Sequence, residues 1–560
     1  MLFFVLGYIL NYKNQSNPIA FIFEKPKNIK MFFRDLYTRE SSDPIRILME
    51  FSICILVIKL FAFEESWIAV LPALIATAGF LLVAYTHVMI YIFNRVPVLA
   101  SDIEFLKVGM TIAYKRKLLI IVGTLLLLLS VFYAYYQISS ILLELETSTS
   151  LLIGGLLTFT VLGLFNVSKY GYHSFQNRTV QSFLIYFFLN LKNGRKYNFL
   201  LKKDRSFFEK FNFYKDLKLE RKPNVVIFSI ESYGSIVLKD DELKKSVEKI
   251  YDRYNESLSE KDFLIRSKLS KPPQFGGGSW LSYTSFIFGM KVDDMNQYNL
   301  LFKSNSSFQY YQSLLSFLKS NGYRNYLLCP LGGGYNDKVD WNLVKKNFSS
   351  DEFLDWERMD YQGKRYQYLK FGYSPSDQYS LHKADEIISA ANSEPFSLFF
   401  STLNSHVPFD SPEEVVDNWQ DLKSHADNGS EFDEESSNLF SRYKKAISYQ
   451  LNFVLDYILN NGRDDTIYIL FGDHQPPFIT KKEMGFTTPI HIIAKNKDFV
   501  RAFEEITFTQ GFYPKMEESE SMNHEGFYSI FMKAFNGTYG KLKDLDLPYL
   551  HNGVQLNEEY

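Results

Sequence analysis

Cysteine is scarce in this chain: two in 560 residues, Cys54 and Cys329. Cys54 lies in an apolar run and Cys329 far beyond it in a polar part, so no disulfide is expected. The pair points to no particular compartment. Charge of one sign is missing as well. With 61 Lys and Arg against 63 Asp and Glu, the formal net charge is −2. That balance removes the global signature of a nucleic-acid-binding chain. No internal repeat is visible. Residues 1–10 lack the basic start and small-residue site of a cleavable signal, so no cleaved leader is expected.

Aromatic residues are plentiful at 17%, with 52 Phe and 38 Tyr, and many fall in the first third. The mean hydropathy of −0.14 conceals a division. Long apolar runs dominate up to about residue 167, whereas the chain beyond 222 reads as a water-soluble protein. Four runs, 48–63, 67–93, 118–136 and 151–167, have the character of membrane helices, since about 20 apolar residues cross a bilayer core. Segments 12–46 and 94–117 are rich in Lys and Arg, while Glu64-Glu65 and Glu144 and Glu146 mark the opposite ends. Positive-inside counting puts the basic loops in the cytoplasm. Export of the remainder then needs a fifth crossing, for which 1–10 and the short run 183–191 are the options. We therefore expect a transmembrane helical domain of four or five spans over 1–167. A basic, aromatic connector follows over 168–222, fit either for an interfacial helix or for an ordinary linker.

From residue 222 the pattern is α/β. Asn224-Val225-Val226-Ile227-Phe228-Ser229-Ile230 is mostly apolar and rich in β-branched residues, as a strand buried on both faces requires. Further strands are expected at 324–329, 396–401, 467–471 and 489–494, with helices at 306–321, 378–392 and 441–461. Alternation of this kind implies a mostly parallel sheet flanked by helices over 223–560. The acidic, Gly-, Asn- and Ser-containing stretch 424–437 reads as a solvated loop.

The chemistry gathers where strands end, the edge at which open α/β sheets bind ligands. One strand runs into Gly472-Asp473-His474, a carboxylate beside an imidazole, suited to a divalent cation. The first strand ends in Glu231-Ser232-Tyr233, and another leads to Asn404-Ser405-His406-Val407-Pro408-Phe409. Between them, Gly276-Gly277-Gly278-Ser279-Trp280 precedes a helix expected at 281–290. Its glycines let backbone N–H groups approach a phosphoryl group, and the helix start favours an anion beside Ser279. Each stretch has a plainer reading. Asp473 and Ser279 can be helix caps, Glu231 can complement a helix dipole, and a lone loop histidine is often a bystander.

Taken in order, these four motifs resemble the sulfatase-like branch of the alkaline phosphatase superfamily. Within it the layout is similar to membrane-anchored lipoteichoic acid synthases, other phosphoglycerol transferases and phosphoethanolamine transferases. The resemblance implies that Glu231, Ser279, Asp473 and His474 bind one divalent metal ion (Mn, Zn or Mg). It also implies that Ser279, in place of the family's usual threonine, is the nucleophile, and that His406 is catalytic and lines the substrate site. The family's Trp-Asn-Arg substrate patch is kept here as Trp341 and Asn342, with Leu343 in place of arginine. Ser279-Trp280-Leu281-Ser282-Tyr283 lacks the Pro and Arg that formylglycine formation in true sulfatases requires. Lone Cys329 argues against the disulfide-rich phosphoethanolamine transferases of lipid A. The implied function is transfer of a phospholipid headgroup, phosphoglycerol or phosphoethanolamine, to a cell-envelope glycan through a covalent serine intermediate. The implied place is the bacterial cytoplasmic membrane, as a multi-pass protein with its catalytic domain outside. The partners would be a phospholipid donor, a glycan acceptor and the membrane, with no nucleic acid. The alternatives are a metal-dependent phosphodiesterase and a catalytically inactive glycan-binding relative.

Overall fold

The computed structural model describes residues 47–61, 66–93, 98, 102, 117–144, 153–158, 160–161, 180–188, 190–191, 203–293, 297–298, 301–302, 307–333, 341–368, 372–392, 395–423, 438–480 and 484–555. It divides into two compact units, Met1–Lys196 and Tyr197–Tyr560. The division falls inside the stretch expected as a connector, of which 168–179, 189 and 192–202 lie outside the described residues.

The described part of the first unit is helical: α1 (Met49–Leu60), α2 (Val70–Phe93) and α3 (Lys117–Glu144). Residues Ile47–Leu48 pair in parallel with Val180–Gln181. Glu50 secures that return by accepting from Ser182 Oγ and from the amides of Phe183 (3.2 Å) and Leu184 (3.3 Å). Leu48, Phe51, Ile55, Val83, Leu142 and Tyr186 share one apolar core. Among the described residues one helical stretch, Val122–Glu144, has the length and composition to cross a membrane. Its Leu125, Leu126, Leu127 and Leu129 are exposed, an arrangement costly in water and natural in lipid. Val70–Thr86 is a shorter apolar helix; the 48–63 and 151–167 runs contain helix too, and 1–10, 62–65, 151–152, 159 and 162–167 lie outside the described residues. Segment 183–188 is helical, with Tyr186 buried and Phe187 and Phe188 exposed.

The second unit is an α/β domain. Its strands are β1 (Asn224–Ile230), β2 (Leu264–Lys271), β3 (Arg324–Leu328), β4 (Gly332–Gly333), β5 (Glu352–Leu354), β6 (Tyr366–Tyr368), β7 (Gly372–Ser374), β8 (Phe396–Ser401), β9 (Thr466–Gly472), β10 (Thr488–Ala494), β11 (Thr509–Gln510) and β12 (Met522–Asn523). The main sheet runs β11-β2-β10-β9-β1-β8-β3-β5, with β12 also on β2. The block β9-β1-β8-β3-β5 is parallel, and β10 pairs antiparallel with both β9 and β2. A small antiparallel sheet, β4-β7-β6, stands apart.

Every residue of β1, β9 and β10 is buried, which is why these strands read as mostly apolar runs. The five expected strands are all present. β2 was not expected, because Leu264-Ile265-Arg266-Ser267-Lys268-Leu269-Ser270-Lys271 carries polar groups at positions that end up buried. Tertiary partners make that tolerable: Arg266 pairs with Glu504, and Lys268 donates to Thr507 Oγ1.

Helices cover both faces of the sheet. On one lie α4 (Asp241–Glu260), α6 (Asp377–Ala390) and α7 (Leu439–Asn461); α5 (Ser279–Phe288) and α8 (Phe527–Tyr539) lie on the other. In α4, Leu243, Val247, Ile250, Tyr251, Tyr254 and Leu258 recur at helical spacing and pack with Val226, Phe228 and Ile230 of β1. The helix expected at 306–321 is shorter: a 3-10 turn, Ser307–Tyr310, precedes Leu314–Ser320, whose start Ser313 caps. Across the sheet, Phe286 of α5 stacks on Phe471 of β9 (3.9 Å between centroids) and on Phe527 of α8 (4.1 Å). Phe286 is fully buried, so Phe286→Ala should destabilise this unit by about 3–4 kcal/mol. Chemical denaturation followed by tryptophan fluorescence measures it.

Candidate metal and phosphoryl-transfer site

Register brings the strand ends together. Ser229 is level with Ser401 on one side and Phe471 on the other, and Ile230 with Gly472. Glu231, the loop after Ser401 and Asp473 therefore leave the sheet at one height. α5 meets them because Gly277 and Gly278 turn the chain with φ of 71° and 72°, a left-handed pair that glycine adopts at little cost. Gln274 Nε2 donates to the Gly278 carbonyl at 2.6 Å, and the Gln475 amide to the Phe275 carbonyl at 3.0 Å. These bonds fix the glycine loop against the strand end that bears Asp473.

Ser279, the first residue of α5, donates from Oγ to Glu231 Oε2 at 2.8 Å and lies 3.1 Å from His474 Nε2. His474 Nε2 stands 3.5 Å from both Glu231 Oε1 and Asp473 Oδ2. His474 Nδ1 lies 2.9 Å from the Gln475 carbonyl. Donation there makes Nδ1 the protonated nitrogen and turns the Nε2 lone pair toward the carboxylates. One ligand atom from each of Glu231, Asp473 and His474 lies within 4.8 Å of the others. All three are buried, and no Lys or Arg pairs with either carboxylate among the described residues. Two neighbouring buried carboxylates without a cation are strongly disfavoured. With one imidazole, one hydroxyl and two carboxylates, the donor set fits a divalent ion.

The electrostatics follow. Burial, then the neighbouring Glu231 charge, push the Asp473 carboxyl up to about 7. Burial works against the His474 imidazolium, yet the Asp473 and Glu231 carboxylates carry it above its ordinary value. Without a cation the cluster thus holds protons in the cation's place. The buried His491 and His524 differ. Burial lowers both to about 3, and their ring nitrogens meet Ser267 and Tyr233, or Ser270 and the Gly472 carbonyl.

Ser232 was not singled out in the sequence. Its φ of 58° is left-handed, a conformation costing a non-glycine residue about 1 kcal/mol or more. Its amide donates to Asp473 Oδ1 at 2.8 Å and its Oγ to Glu231 Oε1 at 2.8 Å, while its carbonyl accepts from Tyr443 OH at 2.9 Å. The strained residue ties the two carboxylates together.

His406 follows β8 and lies near enough to the cluster for the charges of His474 and Asp473 to act on it. Burial lowers its imidazole to about 4, so it is neutral near pH 7. Its Nδ1 faces the Val407 carbonyl at 2.7 Å, leaving Nε2 as an acceptor. The Tyr368 ring of β6 lies over it at 4.0 Å between centroids, a partner no local pattern announces. Trp341 and Asn342 begin a short helix, Trp341–Asn347. Trp341 stacks on Phe353 at 4.9 Å and Asn342 is exposed. No hydrogen bond or ring contact links either to the cluster among the described residues, and 334–340 lie outside them.

A buried hydroxyl beside two carboxylates and an imidazole, at the edge of a parallel sheet, makes a candidate divalent-metal site. Residues 280–540 match the Sulfatase family model. The match starts one residue after Ser279. A Rhizobium meliloti protein named for cyclic beta-1,2-glucan modification is 31% identical over 172 residues, 30% of this chain and 24% of that one. The chain thus spans about a quarter of that relative's length. Among solved structures, the integral membrane lipooligosaccharide phosphoethanolamine transferase of Neisseria meningitidis is similar over 94% of this chain and 91% of its own, at 14% identity and a TM-score of 0.44. The Listeria monocytogenes lipoteichoic acid synthase is similar over 62% and 81%, at 13% and 0.36. A Streptococcus pyogenes phosphoglycerol transferase is similar over 61% and 80%, at 13% and 0.34.

Proposed function

We propose that this chain is a multi-pass bacterial membrane enzyme whose outward-facing domain moves a phospholipid headgroup onto a cell-envelope glycan. Phosphoglycerol is the headgroup we favour over phosphoethanolamine. The observation that carries the reading is Ser279 Oγ, set 2.8 Å from Glu231 Oε2 and 3.1 Å from His474 Nε2 in a buried cluster whose carboxylates pair with no Lys or Arg among the described residues. The match to the Sulfatase family model, the apolar Val122–Glu144 helix and a relative named for glucan modification support the same picture.

A divalent cation held by Glu231, Ser279, Asp473 and His474 would lower the pKa of the serine hydroxyl and offset charge on the phosphoryl oxygens. Ser279 Oγ attacks phosphorus as its proton passes toward Glu231. The bond to the diacylglycerol oxygen breaks, and diacylglycerol leaves as the alcohol after taking up a proton. The headgroup remains as a phosphodiester on Ser279. A glycan hydroxyl then attacks phosphorus and releases Ser279. Neutral His406, with Nε2 free to accept, is suited to take the proton of that incoming hydroxyl. Trp341 and Asn342 belong to the proposed substrate side.

The test supplies the full chain with headgroup-labelled phosphatidylglycerol or phosphatidylethanolamine, with and without envelope glycan. Label from phosphatidylglycerol is expected on glycan together with free diacylglycerol. Label released only as free phosphoglycerol would make the protein a phosphodiesterase, and no reaction with either lipid would reject the transferase reading.

A further inference from the structure

Loop 402–409, which follows β8, grips Glu231 from both sides. Thr402 Oγ1 accepts from the Glu231 amide at 3.0 Å, and Ser405 Oγ donates to the Glu231 carbonyl at 2.6 Å. The next residue is His406. The orientation of one carboxylate in the cluster and that of the neighbouring imidazole thus depend on one short stretch of backbone.

That stretch is held from behind by Asp377, the first residue of α6. Asp377 Oδ2 accepts from the Leu403 amide at 2.9 Å, the Asn404 amide at 2.7 Å and Gln450 Nε2 of α7. The grip is reciprocal. Asn404 Oδ1 accepts from the Asp377 amide at 2.7 Å, and Asn404 Nδ2 donates to Ser374 Oγ at 3.0 Å and the Pro375 carbonyl at 3.1 Å. Asp377 is wholly buried, and its Oδ1 has no hydrogen-bond partner. Burying a carboxylate with one idle oxygen is expensive. An ordinary turn could be closed by an apolar or amide side chain. Three donors converging on one oxygen at the start of a helix instead mark a charge-assisted brace.

We propose that Asp377 is a positioning residue: through Leu403 and Asn404 it sets the loop that orients both Glu231 and His406. Asp377 touches neither substrate nor cation. This inference rests on the functional reading of Glu231 and His406 given above.

The experiment uses the full chain in detergent and three variants: Asp377→Ala, Asp377→Asn and Asn404→Ala. The measurements are Mn2+ affinity by calorimetry, amide exchange of the 402–409 peptide without metal, and kcat and KM for headgroup transfer. Asp377→Ala should lower Mn2+ affinity and kcat by about 10- to 100-fold, the range for residues that support a metal site from behind. KM should stay within about twofold, since the loop acts on the reacting groups rather than on uniform binding. Exchange over 402–409 should rise. Asp377→Asn keeps one acceptor oxygen but removes the charge, and should recover only part of the loss. Asn404→Ala removes only the return half of the grip and should show the same pattern more weakly. A folded Asp377→Ala protein with wild-type Mn2+ affinity and kcat overturns the proposal. If that variant does not fold, wild-type behaviour of Asn404→Ala overturns it. Failure of the wild-type protein to take up any divalent cation would instead reject the reading of the site, and this inference with it.

Discussion

Ser279→Ala is expected to lower headgroup transfer by roughly 10^4-fold or more, the scale seen when a covalent nucleophile is removed, while the fold stays intact. The side chain is small and sits at the start of α5, so its loss opens no sizeable cavity. What disappears is one donor to the Glu231 carboxylate at 2.8 Å, about 1.5–3 kcal/mol. Stability and activity should therefore separate cleanly. Ser279→Thr retains a hydroxyl at the same point and should retain turnover. Labelled-lipid transfer and thermal unfolding, run on the same preparations, decide the matter. An Ser279→Ala protein that still transfers headgroup at the wild-type rate would remove the covalent intermediate from the mechanism.

Divalent cation should raise the melting temperature of chelator-treated protein, and the rise should be larger at pH 8 than at pH 5. In the folded chain without cation, Asp473 keeps its proton up to about 7, against about 4 for an unfolded aspartate. Between those values the folded state holds the extra proton, so stability from this group falls as pH rises through the window. His474 is raised too. Its contribution is full below the ordinary imidazole value and is lost as pH climbs through the higher folded one. Both groups weaken the cation-free protein in the same direction, and both release protons to an incoming cation. At a hundredfold excess over Kd the linkage is about 2.7 kcal/mol, on the order of 5 °C for a domain of this kind. Asp473→Asn should abolish the response at both pH values. An identical cation effect at pH 5 and pH 8 would mean that the ion binds elsewhere.

Much of the site was legible because buried parallel strands announce themselves. Asn224–Ile230 and Thr466–Gly472 are mostly apolar, and polar residues directly after such runs stand at the sheet edge that binds ligands. Glu231, His406 and Asp473-His474 were found by that logic, and Ser279 by the glycines before it. β2 was not found, because Arg266 and Lys268 look like surface residues until Glu504 and Thr507 are packed against them. Tyr368 over His406 gave no local signal either, since it arrives from the small separate sheet.

The amino-acid sequence by itself determined which chemical groups end the strands and precede α5, because strand and helix periods depend on neighbours a few residues apart. Only the tertiary structure decided that these groups converge within one pocket, with Ser232 in a strained turn between the carboxylates and Asp377 bracing the loop beside them. The physical reason is that such contacts join residues up to 243 positions apart, as His474 and Glu231 are. Strand register and side-chain packing set those distances, and no local spacing encodes them.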